Sequence, residues 1–404
     1  MRVLGTLCLG FLSLLLAEGT LQVLARSSRT VGSLLAPVET ATHSVPDALL
    51  VHRGNPAWPD HDARGFRNTD AVTHANLVLL GDSQTYGTGV ERLAAWPSIL
   101  GSRSGLTVYN MAFGGWGPGQ GLLLLPEALA LEPSRIIYAF YFGNDLPDVF
   151  TLALRLPEVE RFLPRDLIDS SRQLERRDPL GERVAFLFAQ AITVQTDKES
   201  GARAFLSRYS KLYGLARGLR RSVRGSQERM PVALLPNMDD ALRRMTPKQR
   251  QFVSEFRSAE WRTLLTPQYR GFALDDSDPR IKAAVVGAKQ MLVAMDSICR
   301  SRQVAFSVLL IPTKERVFAT RFKDAASNPA VAQVVASEAR IQKEIVSWLQ
   351  QHGVQYIDAL ASLSNSSRQP YFENADGHPN EVGHEIIADL IRRHLTREGA
   401  ERAP

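Results

Sequence analysis

Residues 76–87 read Asn-Leu-Val-Leu-Leu-Gly-Asp-Ser-Gln-Thr-Tyr-Gly, and the change of character within that stretch decides the fold class. An unbroken apolar run too short for a helix stops at Gly81, and polar residues able to open a helix follow. Such a run, without strict alternation, suits a strand buried on both faces of a parallel sheet. The pattern recurs. Residues 106–109 (LTVY) stop at Asn110, 135–142 (RIIYAFYF) at Gly143, and 304–311 (VAFSVLLI) at Pro312; 353–358 (GVQYID) form a weaker fifth run. Helices are predicted between them over 92–103, 120–131, 280–302, 330–352 and 380–395. Strands alternating with helices give an α/β fold, a three-layer doubly wound parallel sheet.

The remaining chain divides around that core. Residues 1–26 form an N-terminal segment and 27–75 a Ser-, Pro-, Asp- and His-rich tether expected to pack on the domain. The domain itself spans 76–150 and 276–396, interrupted by a largely helical insertion at 151–275, and 397–404 are a tail. The chain has 404 residues, 44% hydrophobic and 22% charged, the balance of an ordinary folded protein. Its net charge of +6 is unevenly placed. The insertion holds 23 lysines and arginines against 15 acids, so the rest of the chain is slightly acidic. The sharpest basic stretch, 203–229, suits either a solvated helical face or a cap facing anionic lipid or an acidic polymer. No nucleic-acid motif accompanies it, and few aromatics interleave the charges, so no nucleic acid is expected as partner. The two cysteines are Cys8 and Cys299; Cys8 lies in the apolar N-terminal run, so neither a structural disulfide nor a cysteine metal site is expected.

Residues 3–25 are apolar apart from Glu18 and a few small polar residues, about the length that crosses a bilayer as a helix. An uncleaved transmembrane anchor is the expectation, with cleavage near Ala25 and secretion as the alternative, and a buried helix third. Either export reading places the bulk of the protein outside the cytoplasm, in a periplasmic or extracellular space.

In an open α/β sheet, ligands bind in the crevice at the carboxyl ends of the strands. The first strand ends at Gly81-Asp82-Ser83, a serine on a strand-to-helix turn where a helix N-terminus favours developing negative charge. Thr85 stands where the nucleophile elbow of α/β-hydrolases needs glycine. The second strand ends in Asn110 and the glycine-rich Gly114-Gly115-Trp116-Gly117, whose backbone N–H groups can approach a ligand. The third ends in Gly143-Asn144-Asp145, offering an amide donor. Before the last helix stands Asp376-Gly377-His378. In an extended loop the two side chains would share one side, so the carboxylate could orient the imidazole. Each block alone also has a plain structural use, as helix cap, flexible loop or turn.

Their order resembles the SGNH/GDSL hydrolase family, including membrane-anchored bacterial members and SGNH-like O-acetyl esterase and acetyltransferase proteins. The resemblance covers about 76–150 and 280–396 and implies a flavodoxin-like sheet. It gives Ser83 the nucleophile role, His378 that of general base and Asp376 that of its partner. Gly115, five residues after Asn110, and Asn144 join the Ser83 N–H as oxyanion donors. Two departures stand out. Most members have the aspartate three residues before the histidine, where this chain has Ala375, and Phe142 replaces a usual glycine two before Asn144. Asp62–Asn68 (DARGFRN) and Leu310–Glu315 (LIPTKE) also look like segments of membrane-anchored members.

The chemistry so implied is two-step acyl transfer without a cofactor, on O-acyl, foremost O-acetyl, groups of envelope glycans, or else on lipid esters. Trp116 and Lys314, placed after strand ends, are candidates to line the substrate pocket. Two rivals are a metal hydrolase built from Asp376, His378 and His384, although His384 is expected to face solvent, and a non-catalytic glycan-binding or assembly protein. Glu373 is the reserve third member should Asp376 prove dispensable. Nothing in the sequence fixes an oligomeric state.

Overall fold

The computed structural model describes Ser13, residues 16–24, 42–192, Ser210 and residues 237–401. The chain forms two compact units, Met1–His43 with Gln195–Val232, and Ser44–Val194 with Ala233–Pro404. In the first, residues 16–24 are helical, and Glu18 accepts hydrogen bonds from Gln22 and from the Ser210 hydroxyl. Most of the apolar run 3–25 and nearly all of the basic stretch 203–229 lie outside the described residues. No helix among the described residues is long and apolar enough to cross a membrane.

The second unit is built on a five-stranded sheet. Counting strands along the chain, β1 (Ser44–Asp47) and β2 (Val51–Gly54) form a hairpin, and β3 (Leu77–Leu80), β4 (Val108–Asn110) and β5 (Arg135–Tyr141) enter the sheet. After a second hairpin, β6 (Ser254–Arg257) with β7 (Arg262–Leu265), come β8 (Ala305–Ile311) and β9 (Gln355–Asp358). The sheet runs β4-β3-β5-β8-β9, every pair parallel. This is the flavodoxin-like order, whose switch point lies between β3 and β5.

Two core layers explain why β3, β5 and β8 are apolar at nearly every position. Val78 and Leu80 of β3 pack on one face with Leu124, Leu125, Met291 and Met295. Leu77 and Leu79 pack on the other with Trp96, Leu100, Ile387 and Ile391. β5 divides in the same way, Ile136, Tyr138 and Phe140 against Ile137, Ala139 and Tyr141. Burying each such side chain contributes roughly 1.5–3 kcal/mol, enough to fix which strands are central. The layer holding Leu124 and Met291 includes the helices Pro118–Leu129, Pro279–Ser301 and Pro329–Gln351; Trp96–Ser104 and Glu381–Glu401 lie in the other.

Two local expectations are corrected and one is refined. The supposed tether contains the β1–β2 hairpin, whose turn is held by Asp47 accepting from the Leu49 and Leu50 N–H groups, both at 2.8 Å. The insertion is largely helical among its described residues, with helices Pro157–Glu160, Arg165–Arg177 and Leu180–Ile192, and it contributes the β6–β7 hairpin as well. The final helix runs to Glu401 through the expected tail, because no proline or cap stops it at 396.

Candidate active site

The nucleophile candidate sits where β3 turns into the short helix Ser83–Tyr86. Asp82 caps that helix by accepting from the Gln84 N–H at 2.9 Å. As the first helical residue, Ser83 has no intrahelical acceptor for its own N–H. The turn is held from outside by Arg67 of the DARGFRN segment. Its buried guanidinium donates to three carbonyls, Tyr86 O (3.2 Å), Gly87 O (2.6 Å) and Val90 O (2.8 Å).

The imidazole candidate lies on a loop, residues 372–378, without regular structure. Its backbone is gathered around the buried Lys314 ammonium, which donates to Phe372 O (2.6 Å), Asn374 O (2.6 Å) and Asp376 O (3.1 Å). Asp376 Oδ1 then accepts both the backbone N–H of His378 (3.1 Å) and its ring Nδ1–H (2.5 Å). The two-residue spacing therefore works through an Asx turn rather than an extended loop. A carboxylate can only accept, so Nδ1 carries the proton and Nε2 is the free base. His378 Nε2 lies 2.8 Å from Ser83 Oγ, across 295 positions of sequence.

The electrostatics suit a proton relay. Burial pushes the Asp376 carboxyl up, but the charge of His378 and its hydrogen bonds outweigh this and hold the carboxyl below its ordinary range. Burial pulls His378 down, and the Asp376 carboxylate more than offsets it, so the imidazole stands above its ordinary 6.5.

Around the expected oxyanion position, Gly115 adopts φ 76°, a left-handed conformation that favours glycine. A Cβ placed on its neighbour Gly114 would lie 3.8 Å from Ser83 Cβ, so the glycine loop borders the nucleophile. Asn144 donates an amide N–H to Asp148 Oδ2 at 2.7 Å, which orients the amide, and its side chain also hydrogen-bonds to the Asp82 carboxyl. Three carboxyls crowd this corner. Burial pushes Asp82 up to about 6 and Asp148 up to about 7, and it raises Asp145, which also feels Asp82 and Asp148. Each of these carboxyls therefore ionises less readily than an exposed one.

Other expectations change. Trp116 is 1% exposed, its Nε1–H donating to His52 O at 3.0 Å, and Lys314 is 1% exposed and committed to the loop carbonyls. Both side chains are buried against backbone carbonyls; a position after a strand end does not fix which way a long side chain turns. His384 is fully buried rather than solvent-facing. Its Nδ1 accepts the Trp96 N–H at 3.2 Å, and burial lowers its pKa to about 3. No cluster of three potential metal ligands is present among the described residues, so His384 does not join Asp376 and His378 in one. Glu373 pairs with Arg262 at 2.9 Å and accepts from Met238 N, turned to a different partner from the imidazole.

Arg67 and Arg270 were not legible as site residues. Arg270, from the helix Pro267–Ala273 in the stretch read as an insertion, donates to Gly143 O at 2.9 Å, next to Asn144. Its guanidinium also crowds Gly377, where an added Cβ would overlap Arg270 Nη2 and stand in tight contact, 3.1 Å, with the Tyr141 hydroxyl. Arg270 thus spans the Asn144 loop and the His378 loop.

No family model and no curated protein matches the chain. Solved structures that it matches include a lipolytic protein of the G-D-S-L family from Desulfitobacterium hafniense, at 11% identity and TM-score 0.35, covering 78% of this chain and 97% of that one. An extracellular lipase from Streptomyces rimosus matches at 12% identity and TM-score 0.37, covering 78% and 98%. Phospholipase A1 from Streptomyces albidoflavus matches at 10% identity and TM-score 0.35, covering 79% and 99%. At these identities and scores the matches do not assign this chain an activity.

Proposed function

We propose that this protein is a serine-dependent ester hydrolase or acyl transferase of the SGNH/GDSL kind. The observation that carries the reading is the continuous hydroxyl–imidazole–carboxylate contact, 2.8 Å and 2.5 Å, at the carboxyl edge of the sheet. His378 Nε2 takes the Ser83 proton as Oγ attacks an ester carbonyl, and the Ser83 and Gly115 N–H groups with the Asn144 amide receive the oxyanion. His378 then protonates the departing alcohol as the ester C–O bond breaks, leaving an acyl-serine. Water or a sugar hydroxyl attacks that intermediate, its proton passing to His378, which returns it to Ser83 Oγ as the acyl–Oγ bond breaks and frees the acid or the new ester. One oxyanion donor in such a site is worth about 2.7–4 kcal/mol of transition-state stabilisation.

The substrates proposed are O-acyl, foremost O-acetyl, groups on cell-envelope glycans, with the protein outside the cytoplasm and held by its apolar N-terminus. The apolar run 3–25 supports that location. Lipid esters are the second reading, favoured by the same run and by the basic stretch 203–229. A binding-only role gives no use for a serine hydroxyl aligned on a paired histidine. The test is hydrolysis of an aryl acetate, an O-acetylated glycan and a lysophospholipid by wild type and Ser83→Ala. Equal rates for the two proteins on every ester would end the reading, and preference for the lysophospholipid would move the substrate to lipids.

A further inference from the structure

The N-terminal hairpin grips the glycine loop twice through one residue. His52 of β2 places Nε2 at 3.0 Å from Gly114 O, and its own carbonyl accepts from Trp116 Nε1 at 3.0 Å. A carbonyl only accepts, so Nε2 is the protonated nitrogen. The ring is seated edge-on against Phe113, centroids 5.6 Å apart.

The peptide so held joins Gly114 to Gly115. With no Cβ on either side, it is the link in this loop freest to rotate. In a trans peptide the C=O and the following N–H point in opposite directions. Holding Gly114 O against His52 therefore turns the Gly115 N–H away from His52. That N–H has no hydrogen-bond partner among the described residues, and Gly114 borders Ser83. A half-turn of the peptide would exchange the N–H for a carbonyl and set a negative dipole where negative charge must develop.

We propose that His52 is a positioning residue that locks the Gly114–Gly115 peptide with its N–H toward the oxyanion, so that residues 44–54 complete the catalytic crevice. This rests on the ester-hydrolase reading above. Neither the neighbours of His52 in sequence nor the strand-end rule marks it; the contact is made 62 positions away.

The experiment uses the full-length chain with His52→Ala, His52→Phe and His52→Gln, the glutamine Nε2 standing where the imidazole Nε2 stood. With p-nitrophenyl acetate, the Ala and Phe variants are expected to lose about 10- to 100-fold in kcat with KM within about threefold, and Gln to recover to within about threefold of wild type. Hydrogen exchange at Phe113 and Trp116, whose N–H groups bond to Gly81 O and Phe113 O, should quicken in Ala and Phe but not in Gln. A kcat for His52→Ala within twofold of wild type, or a Gln variant as slow as Ala, overturns the proposal. If wild type cleaves no ester, the functional reading falls by itself. Exchange then still decides the loop claim, and equal protection in wild type and His52→Ala overturns it.

Discussion

The two loops that meet at Ser83 and His378 are each tied by one buried cation donating to three carbonyls, but by cations of different kinds. Arg67 ties the nucleophile's turn, and Lys314 ties the base's loop. The nucleophile's turn also inherits order from β3 and from the Asp82 cap, whereas the base's loop has no regular structure to fall back on. Burial lowers Lys314 to about 7, and an ammonium can lose its proton in such a place where a guanidinium does not. The serine is thus positioned mainly by local structure, the histidine by distant side chains and by a charge that titrates.

Removing a relay member sets the scale for that contrast. Ser83→Ala and His378→Ala should each lower kcat by at least about a thousandfold in a steady-state ester assay. Asp376→Asn should cost about a thousand- to ten-thousandfold even though the hydroxyl–imidazole contact survives, because the tautomer is no longer enforced. Retention of full activity in Asp376→Asn would move the orienting role elsewhere.

The clamps separate next. Lys314→Met leaves three buried carbonyls without their donor, and each unsatisfied group costs about 1–3 kcal/mol before the loop relaxes. Its kcat should fall about 10- to 100-fold by the same assay. Arg67→Met should lower the melting temperature with a smaller loss of kcat, since β3 and the Asp82 cap remain. Equal kcat losses would erase the distinction between the two loops.

The pH response follows from the same groups. On the acid side kcat/KM should fall as His378 takes up a proton, with an apparent pKa above its ordinary 6.5. On the alkaline side it should fall from about pH 7 as Lys314 loses its proton. Stability should move the opposite way there. The folded Lys314 pKa, about 7, lies below the unfolded value of about 10.4, so between them the unfolded chain binds more protons and the fold gains with rising pH. Melting curves of wild type and Lys314→Met across that window check the sign. The smallest effect belongs to Glu373→Ala, whose exposed pairing with Arg262 should leave kcat within about twofold.

What was legible in the sequence follows the same division. Strands β3, β5 and β8 are apolar at nearly every position because both faces are covered, and that pattern is local. Ser83, Asn144 and Asp376–His378 lie directly after strand ends or before a helix, so sequence order places them at one edge. The supports were not legible. Arg67 and Arg270 are two of 48 lysines and arginines, and only folding selects them. Trp116 and Lys314 stand at the expected edge, but they turn inward to backbone carbonyls rather than outward to substrate. His384 was judged exposed because its position early in the last helix does not reveal that Trp96 covers it. The β1–β2 hairpin is not legible because its strands, SVPD and VHRG, are mostly half-buried and carry no apolar run.

Gly377 carries a lesson for anyone moving this site to another scaffold. It touches no reactant, yet its bare α-carbon is what lets the Arg270 guanidinium lie beneath the Asx turn. A saturation library should show activity falling at this silent position in step with how far the substituted side chain displaces the Arg270 guanidinium. Grafting the Asp-Gly-His tripeptide alone would transplant the reagents and leave behind the arginine against which their spacing is set.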